Sequence, residues 1–376
     1  MPHHPTRRRF LGQGLGALGL ASLAGRPLAT LADDALSADD LMRRGAAYLK
    51  AHQDDSGAWS PDRKEPGITA LAVTALLRSK KVLPNEPVIT KGLSYLEQFI
   101  GPKGGLSEAP HANYSTAIAL MAFHEANQDG RYNALIRSGQ DFLKTMQWDE
   151  GEGKTRESDF YGGAGYGGRN SRPDLSNTSF MIEALRDTGL PPDDPALQRA
   201  LIFVSRCQNL KSEFNDQPWA GKVNDGGFIY TAANGGQSFA GKTEDGGLRS
   251  YAGMTYAGLK SMIYAGLTRD DPRVKAALDY IKKHYTLEEN PGLGQQGLYY
   301  YYQTFAKAMA LLGQPTFTDA EGKAHDWRAD LIAALAKRQR PDGSWFNEVD
   351  RFMEGDPNLV TSYCLLALAY ARYGQP

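Results

Sequence analysis

The 376-residue chain has little cysteine, no surplus of basic charge and no long unbroken apolar run. Its two cysteines, Cys207 and Cys364, sit among apolar residues at helical spacing. They read as buried small hydrophobes, which leaves stability to packing rather than to disulfides. Lys+Arg number 42 and Asp+Glu 43, a net charge of -1. That balance argues against nucleic acid or another polyanion as partner, since such partners select a clear basic excess. The one extended apolar stretch, from Leu11 to about Leu31, is broken by glycines and Pro27. It does not make a stable membrane span, and none is expected in the mature chain. Strand signals are absent beyond short aromatic stretches at turns. P-loop, dinucleotide and nucleophile-elbow motifs are also missing, so no cofactor is implied.

The N-terminus reads as an export signal. Thr6-Arg7-Arg8-Arg9-Phe10-Leu11-Gly12 has twin-arginine form, and Thr30-Leu31-Ala32 offers a small-residue cleavage site. Residues 1–32 are therefore expected to be a signal peptide and residues 33–376 a single domain. The expected location is periplasmic or otherwise extracytoplasmic.

Glycine is abundant, at 41 residues, and clustered. Clusters mark special turns rather than a flexible chain. They include Asp54-Asp55-Ser56-Gly57-Ala58-Trp59, Tyr161-Gly162-Gly163-Ala164, Asp225-Gly226-Gly227-Phe228 and Asp342-Gly343-Ser344-Trp345. Their spacing of roughly 50–60 residues is that of a helix-pair array. A small-residue helix follows each turn, as in Thr69–Leu77, Ser115–Ala122, Thr178–Leu185, Thr255–Met262 and Thr361–Leu368. Ser or Thr is expected to cap each start. These helices are apolar nearly all round, so they are buried on all sides. Their partners, such as Pro272–His284, are charged on one face. An inner and an outer ring follow, closing after five or six pairs into an all-α, α/α toroid.

Gln53-Asp54-Asp55-Ser56-Gly57-Ala58-Trp59 and Gln339-Arg340-Pro341-Asp342-Gly343-Ser344-Trp345 resemble the Gln-Trp motif of the prenyltransferase and squalene–hopene cyclase repeat superfamily. That resemblance implies the toroid but no one activity. Cyclases that begin by protonation carry Asp-x-Asp-Asp-Thr at an inner-helix start. Here Asp174-Leu175-Ser176-Asn177-Thr178 keeps the first Asp and the Thr. Ser176 and Asn177 stand where the acid and its neighbour would be, and neither can protonate an alkene. The segment then reads as a helix N-cap. The zinc-holding Asp, Cys and His of the prenyltransferases have no counterpart, so no metal site is expected. His111, His124, His284 and His325 read as cap or surface residues.

Two regions remain as candidate sites. Residues 237–256 hold Glu244, Asp245, Arg249, Tyr251 and Tyr256 around a Gly-Gly turn, and Tyr299, Tyr300, Tyr301 and Tyr302 are consecutive. At inner-helix starts such residues would line a central pocket; the alternative is plain aromatic packing. Three functions stay open. One is binding of an apolar small molecule such as an isoprenoid, the acids being lost. A second is a scaffold for an exported protein partner. The third is an enzyme with relocated residues, terpenoid cyclase-like or carbohydrate-active, with Asp174 and Asp245 as the acid pair.

Overall fold

The computed structural model describes residues 37–63, 65–167 and 171–374. The twin-arginine segment and its cleavage site lie outside the described residues. Residues Leu36–Pro376 group into one compact unit. Its helices, in chain order, are α1 (Ala38–Ala51), α2 (Pro66–Arg78), α3 (Pro87–Glu97), α4 (Ala112–Ala126), α5 (Asn133–Thr145), α6 (Leu175–Asp187), α7 (Pro195–Arg206), α8 (Ala220–Val223), α9 (Ala252–Tyr264), α10 (Pro272–Lys283), α11 (Leu298–Leu312), α12 (Trp327–Arg338) and α13 (Pro357–Tyr373). A two-residue ladder pairs Phe317–Thr318 with Ala324–His325.

Six of these helices form a closed inner ring. Helix α2 packs on α4, α4 on α6, α6 on α9, α9 on α11, α11 on α13, and α13 returns to α2. Composition explains the two roles. Every residue of α2 is buried, and its alanines let neighbouring backbones approach. In the outer α1, by contrast, burial is confined to one face, including Leu41, Met42, Ala46 and Leu49. The inner–outer alternation read from the sequence is thus an α/α toroid of six pairs.

The Gly-aromatic turns bind each pair to the next. The Gln53 amide donates to the Gly57 carbonyl at 2.9 Å and to the Val88 carbonyl at 2.8 Å. Gln147 does the same for Gly162 and Ala196, and Gln208 for Gly226 and Arg273. The last turn closes the circle: Gln339 donates to Gly343 and to Leu41 of α1. Glycine is required at these turns for two reasons. At Gly162 φ is +83°, and a Cβ would sit 1.9 Å from the Arg199 carbonyl oxygen. At Gly343 φ is +91°, and a Cβ would lie 2.6 Å from the Arg44 oxygen. Trp59 and Trp345 are buried, and their indole N–H groups donate to Leu49 and Leu335. Both are structural, as the sequence indicates.

One expectation needs correction. The inner-helix threonines are not caps; the helices start earlier, and the cap positions are held by Glu65, His111, Asp174, Tyr251, Gly297 and Asp356. The threonine hydroxyls instead accept the turn amides, Trp59 N–H to Thr69, Ala164 to Thr178, Phe228 to Thr255 and Trp345 to Thr361. A β-branched hydroxyl one turn in does for the Gly-aromatic turn what a cap does for a helix end. Cys207 and Cys364 are both buried and free, as expected.

Candidate functional site

The first turns of all six inner helices surround one chamber of about 580 Å³, so the six run in the same direction. Each helix supplies a residue at or near its start and another one turn further on: Glu65 and Ile68, His111 and Tyr114, Ser176 and Phe180, Tyr251 and Met254, Gly297 and Tyr300, Leu359 and Tyr363. Spacings of three or four residues put both on one helix face. Six tyrosines and three phenylalanines line the space. Its volume is that of a small-molecule pocket, mostly apolar with a few convergent polar groups.

The polar groups form two clusters. Asp174 caps α6, accepting the Asn177 amide at 2.9 Å and its side-chain N–H at 2.8 Å. Burial pushes its carboxyl up to about 6, against these bonds and that of the Tyr230 hydroxyl. Tyr230 lines the chamber, while Asp174, which accepts its hydroxyl, does not. On the two helices that precede α6 in the ring, Glu65 caps α2 through the Gly67 amide at 3.0 Å. Its carboxylate also accepts the Ser115 hydroxyl at 2.5 Å and the Nδ1–H of His111. The Ser176 and Tyr300 hydroxyls meet at 3.0 Å across the chamber wall.

The rim is built by the loop before α13. Phe352 and Met353 both line the chamber and are part-exposed, and both have φ near +65°, at 67° and 64°. Two successive non-glycine residues in the left-handed region are costly, and such strain persists only where neighbours hold it. The hold is Glu354, fully buried, which accepts the amides of Tyr299 and Tyr300 at 2.9 and 2.8 Å and the Asn347 side chain at 2.7 Å. Burial pushes this carboxyl up to about 7.

Toward the C-terminal ends of the inner helices the ring is filled by charge. Arg78 reaches Glu125 at 2.8 Å and Asp187 at 2.7 Å. Lys307 reaches Asp187 at 3.2 Å and Glu183 at 3.5 Å, and Lys260 is paired with Glu183. The Tyr264 hydroxyl donates to Asp187 at 2.9 Å, and Tyr370 contacts Arg78. All six inner helices take part. Burial alone would raise the Glu183 carboxyl, but Lys260 and Lys307 outweigh it and hold it below the usual range. Sequence reasoning missed this cluster, because each charge is isolated within an apolar helix. The signal was there: Arg78, Glu183, Lys260 and Lys307 each interrupt a face that is otherwise apolar.

The predicted site residues divide. Tyr251 and Tyr300 line the chamber. Asp174 stands just behind its wall. Tyr299, Tyr301 and Tyr302 do not reach it; their hydroxyls donate to the carbonyls of Phe346, Thr286 and Leu287. Four successive helical residues are spread about 100° apart, so only one can face the axis. Tyr256 is core, against Tyr301 and Phe305. Arg249 is exposed and donates to the Lys242 carbonyl. Asp245 lies on an exposed turn, bonded to Thr243, and is not brought to Asp174 or to the chamber. The proposed Asp174–Asp245 acid pair is therefore not formed. His111 and Glu65 line the chamber unforeseen. Among the described residues no group of three or more His, Cys, Asp or Glu is placed to hold a metal ion, and no helix is long and apolar enough to cross a membrane.

No protein-family model matches the chain, and no curated protein matches it in sequence. Solved structures do. A type II terpene cyclase from Scytonema, in complex with geranylgeranyl dihydroxybenzoate, is 13% identical with a TM-score of 0.55, over 89% of this chain and 97% of that one. Protein geranylgeranyltransferase-I of Candida albicans, complexed with GGPP, is 14% identical with a TM-score of 0.53, over 88% and 91%. A family 76 glycoside hydrolase from a bovine Bacteroides thetaiotaomicron strain is 13% identical with a TM-score of 0.55, over 88% and 77%. These matches show the fold. It is the α/α toroid that the Gln-Trp turns implied, and its bearers differ in chemistry, so the function of this chain must be argued from its own chamber.

Proposed function

We propose that this protein is an exported toroid that binds an apolar small molecule of isoprenoid type in the aromatic chamber. The observation that carries the reading is the ring of six inner-helix first turns, whose aromatic side chains enclose about 580 Å³. Aromatic walls bind apolar chains by area and shape, and a preformed pocket avoids the ordering cost of closing on the ligand. Two solved toroids hold geranylgeranyl compounds, which supports the ligand class. Export rests on Arg7-Arg8-Arg9 and the cleavage site that follows.

Two experiments test it. Solvent extraction of the purified protein, followed by mass spectrometry, is expected to release a stoichiometric apolar molecule; a clean extract combined with no binding of added C20 isoprenoids sinks the ligand. Fractionation of the producing cell is expected to find the mature chain outside the cytoplasm, and loss of that location in an Arg7→Lys, Arg8→Lys, Arg9→Lys variant tests the export signal.

A second reading, an enzyme with a relocated acid, draws on Asp174. Burial pushes its carboxyl up to about 6, and it accepts the hydroxyl of Tyr230, which lines the chamber. Turnover of a bound isoprenoid that disappears in Asp174→Asn, with binding retained, would favour it.

A further inference from the structure

The chamber has one charged pole, and it is built from two neighbouring inner helices. Glu65 is at the start of α2 and His111 at the start of α4. The Glu65 carboxylate receives three donors: the Gly67 amide, the Ser115 hydroxyl and Nδ1–H of His111. The first two fix the carboxylate, and the third fixes the imidazole. A neutral imidazole has one donor and one acceptor nitrogen. With Nδ1 committed to the carboxylate, Nε2 is the acceptor, a tautomer assigned from the hydrogen bonds. No other polar group among the described residues bonds this ring, which packs beside Tyr166 at 5.0 Å. Both residues line the chamber and the His111 side chain is 49% exposed, so an acceptor without a protein partner stands at the open edge of a mostly apolar space.

We propose that His111 and Glu65 form the head-group site of the chamber, selecting an apolar ligand that carries a hydroxyl, alcohol or phenol, which donates to Nε2 of His111. The inference rests on the reading of the chamber as a ligand site and adds the chemistry of the ligand's polar end. Glu65 disfavours anionic heads by charge, so a phosphate or carboxylate head is the wrong partner here. A neutral O–H donor suits both groups, because the carboxylate on Nδ1 makes Nε2 a better acceptor. A site built to receive a donor rejects the analogue that lacks it, since the acceptor, once covered by the ligand, is then left unpaired.

The test compares three probes that share one chain: geranylgeraniol, its methyl ether and its diphosphate. Affinities are measured by calorimetry on the wild-type protein, His111→Phe and Glu65→Gln. The alcohol is expected to bind roughly three- to tenfold more tightly than the ether, the loss of one hydrogen bond between neutral groups. The diphosphate is expected to bind more weakly than the alcohol. In His111→Phe the alcohol is expected to fall to the level of the ether, and in Glu65→Gln part of the way towards it, since the amide oxygen still accepts Nδ1–H without the carboxylate's charge. The ether should be unchanged within about threefold, which also shows that the variants keep a folded chamber. Equal binding of alcohol and ether by the wild type overturns the inference while leaving the chamber a binding site. A preference that survives in His111→Phe, or a tighter diphosphate, overturns it as well. Failure of all three probes overturns the chamber reading itself, and the head-group site with it.

Discussion

Replacing Glu183 by Gln should be among the most damaging single changes in this protein. Lys260 and Lys307 flank Glu183, and their side chains are 1% and 0% exposed. Lys307 keeps Asp187 after the change, but Lys260 loses its one ion-pair partner among the described residues. The cluster as a whole has three cations, Arg78, Lys260 and Lys307, and three anions, Glu125, Glu183 and Asp187. Glu183→Gln leaves one buried positive charge uncompensated. Breaking a buried pair from one side costs about 3–5 kcal/mol, chiefly the desolvation of the group left behind. For a domain of this length that is a fall in Tm of roughly 5 °C, from the usual unfolding entropy per residue. The companion variant Glu183→Gln with Lys260→Met restores neutrality and places an apolar chain of similar length beside Phe180, over whose ring the Lys260 ammonium now sits at 5.6 Å. It should recover most of the loss. Differential scanning calorimetry of wild type, both single variants and the double variant completes the cycle. If Glu183→Gln costs under about 1 kcal/mol, or if the two changes simply add, the six-helix charge cluster is not an electrostatic unit and the reasoning fails.

Glu354 gives a pH prediction. Its folded carboxyl, at about 7, lies above the ordinary 4.5, so ionisation is disfavoured by folding. Stability is therefore fullest below about 4.5 and is lost as pH rises through 7, by about 3 kcal/mol from this group. Urea midpoints of Glu354→Gln between pH 5 and 8 should lack that decline; a slope equal to that of the wild type would refute it. Gly162→Ala should destabilise by more than about 2 kcal/mol, since the Cβ meets the Arg199 backbone oxygen and φ is unfavourable. Circular dichroism melts measure it, and a neutral result would mean the turn grips nothing. Cys207 and Cys364 should resist maleimide in the folded state and both react in urea, because burial raises both thiols. Fast labelling of either under native conditions would contradict the packing described.

Much of the fold was legible because the signals were local and repeated. Gly57 and Trp59 recur as Gly343 and Trp345, and small-residue helices follow each turn. What the repeat could not show was registration around the axis. Tyr300 reaches the chamber while Tyr299, Tyr301 and Tyr302 do not, a distinction of 100° steps that residue type alone does not mark. Asp174 was found because it sits inside a recognisable motif, although Tyr230, whose hydroxyl it accepts, lies in a separate turn. Asp245 was misjudged because acid beside glycine looks the same in an exposed turn as in a pocket. Glu65 and His111 are 46 residues apart, and only the closing of adjacent inner helices joins them. Gln147 and Gln208 lack the Gly-x-Trp that follows Gln53 and Gln339, so their part in the turns was hidden.

The central claim is that a ligand lies among the first turns of the inner helices. A C20 isoprenoid alcohol bearing a photoreactive diazirine, irradiated with the purified protein and mapped by peptide mass spectrometry, addresses it directly. Adducts are predicted on Tyr114, Phe180, Met254, Tyr300 and Tyr363, suppressed by excess geranylgeraniol. Adducts confined to the outer helices, or ones that no competitor suppresses, would contradict the account.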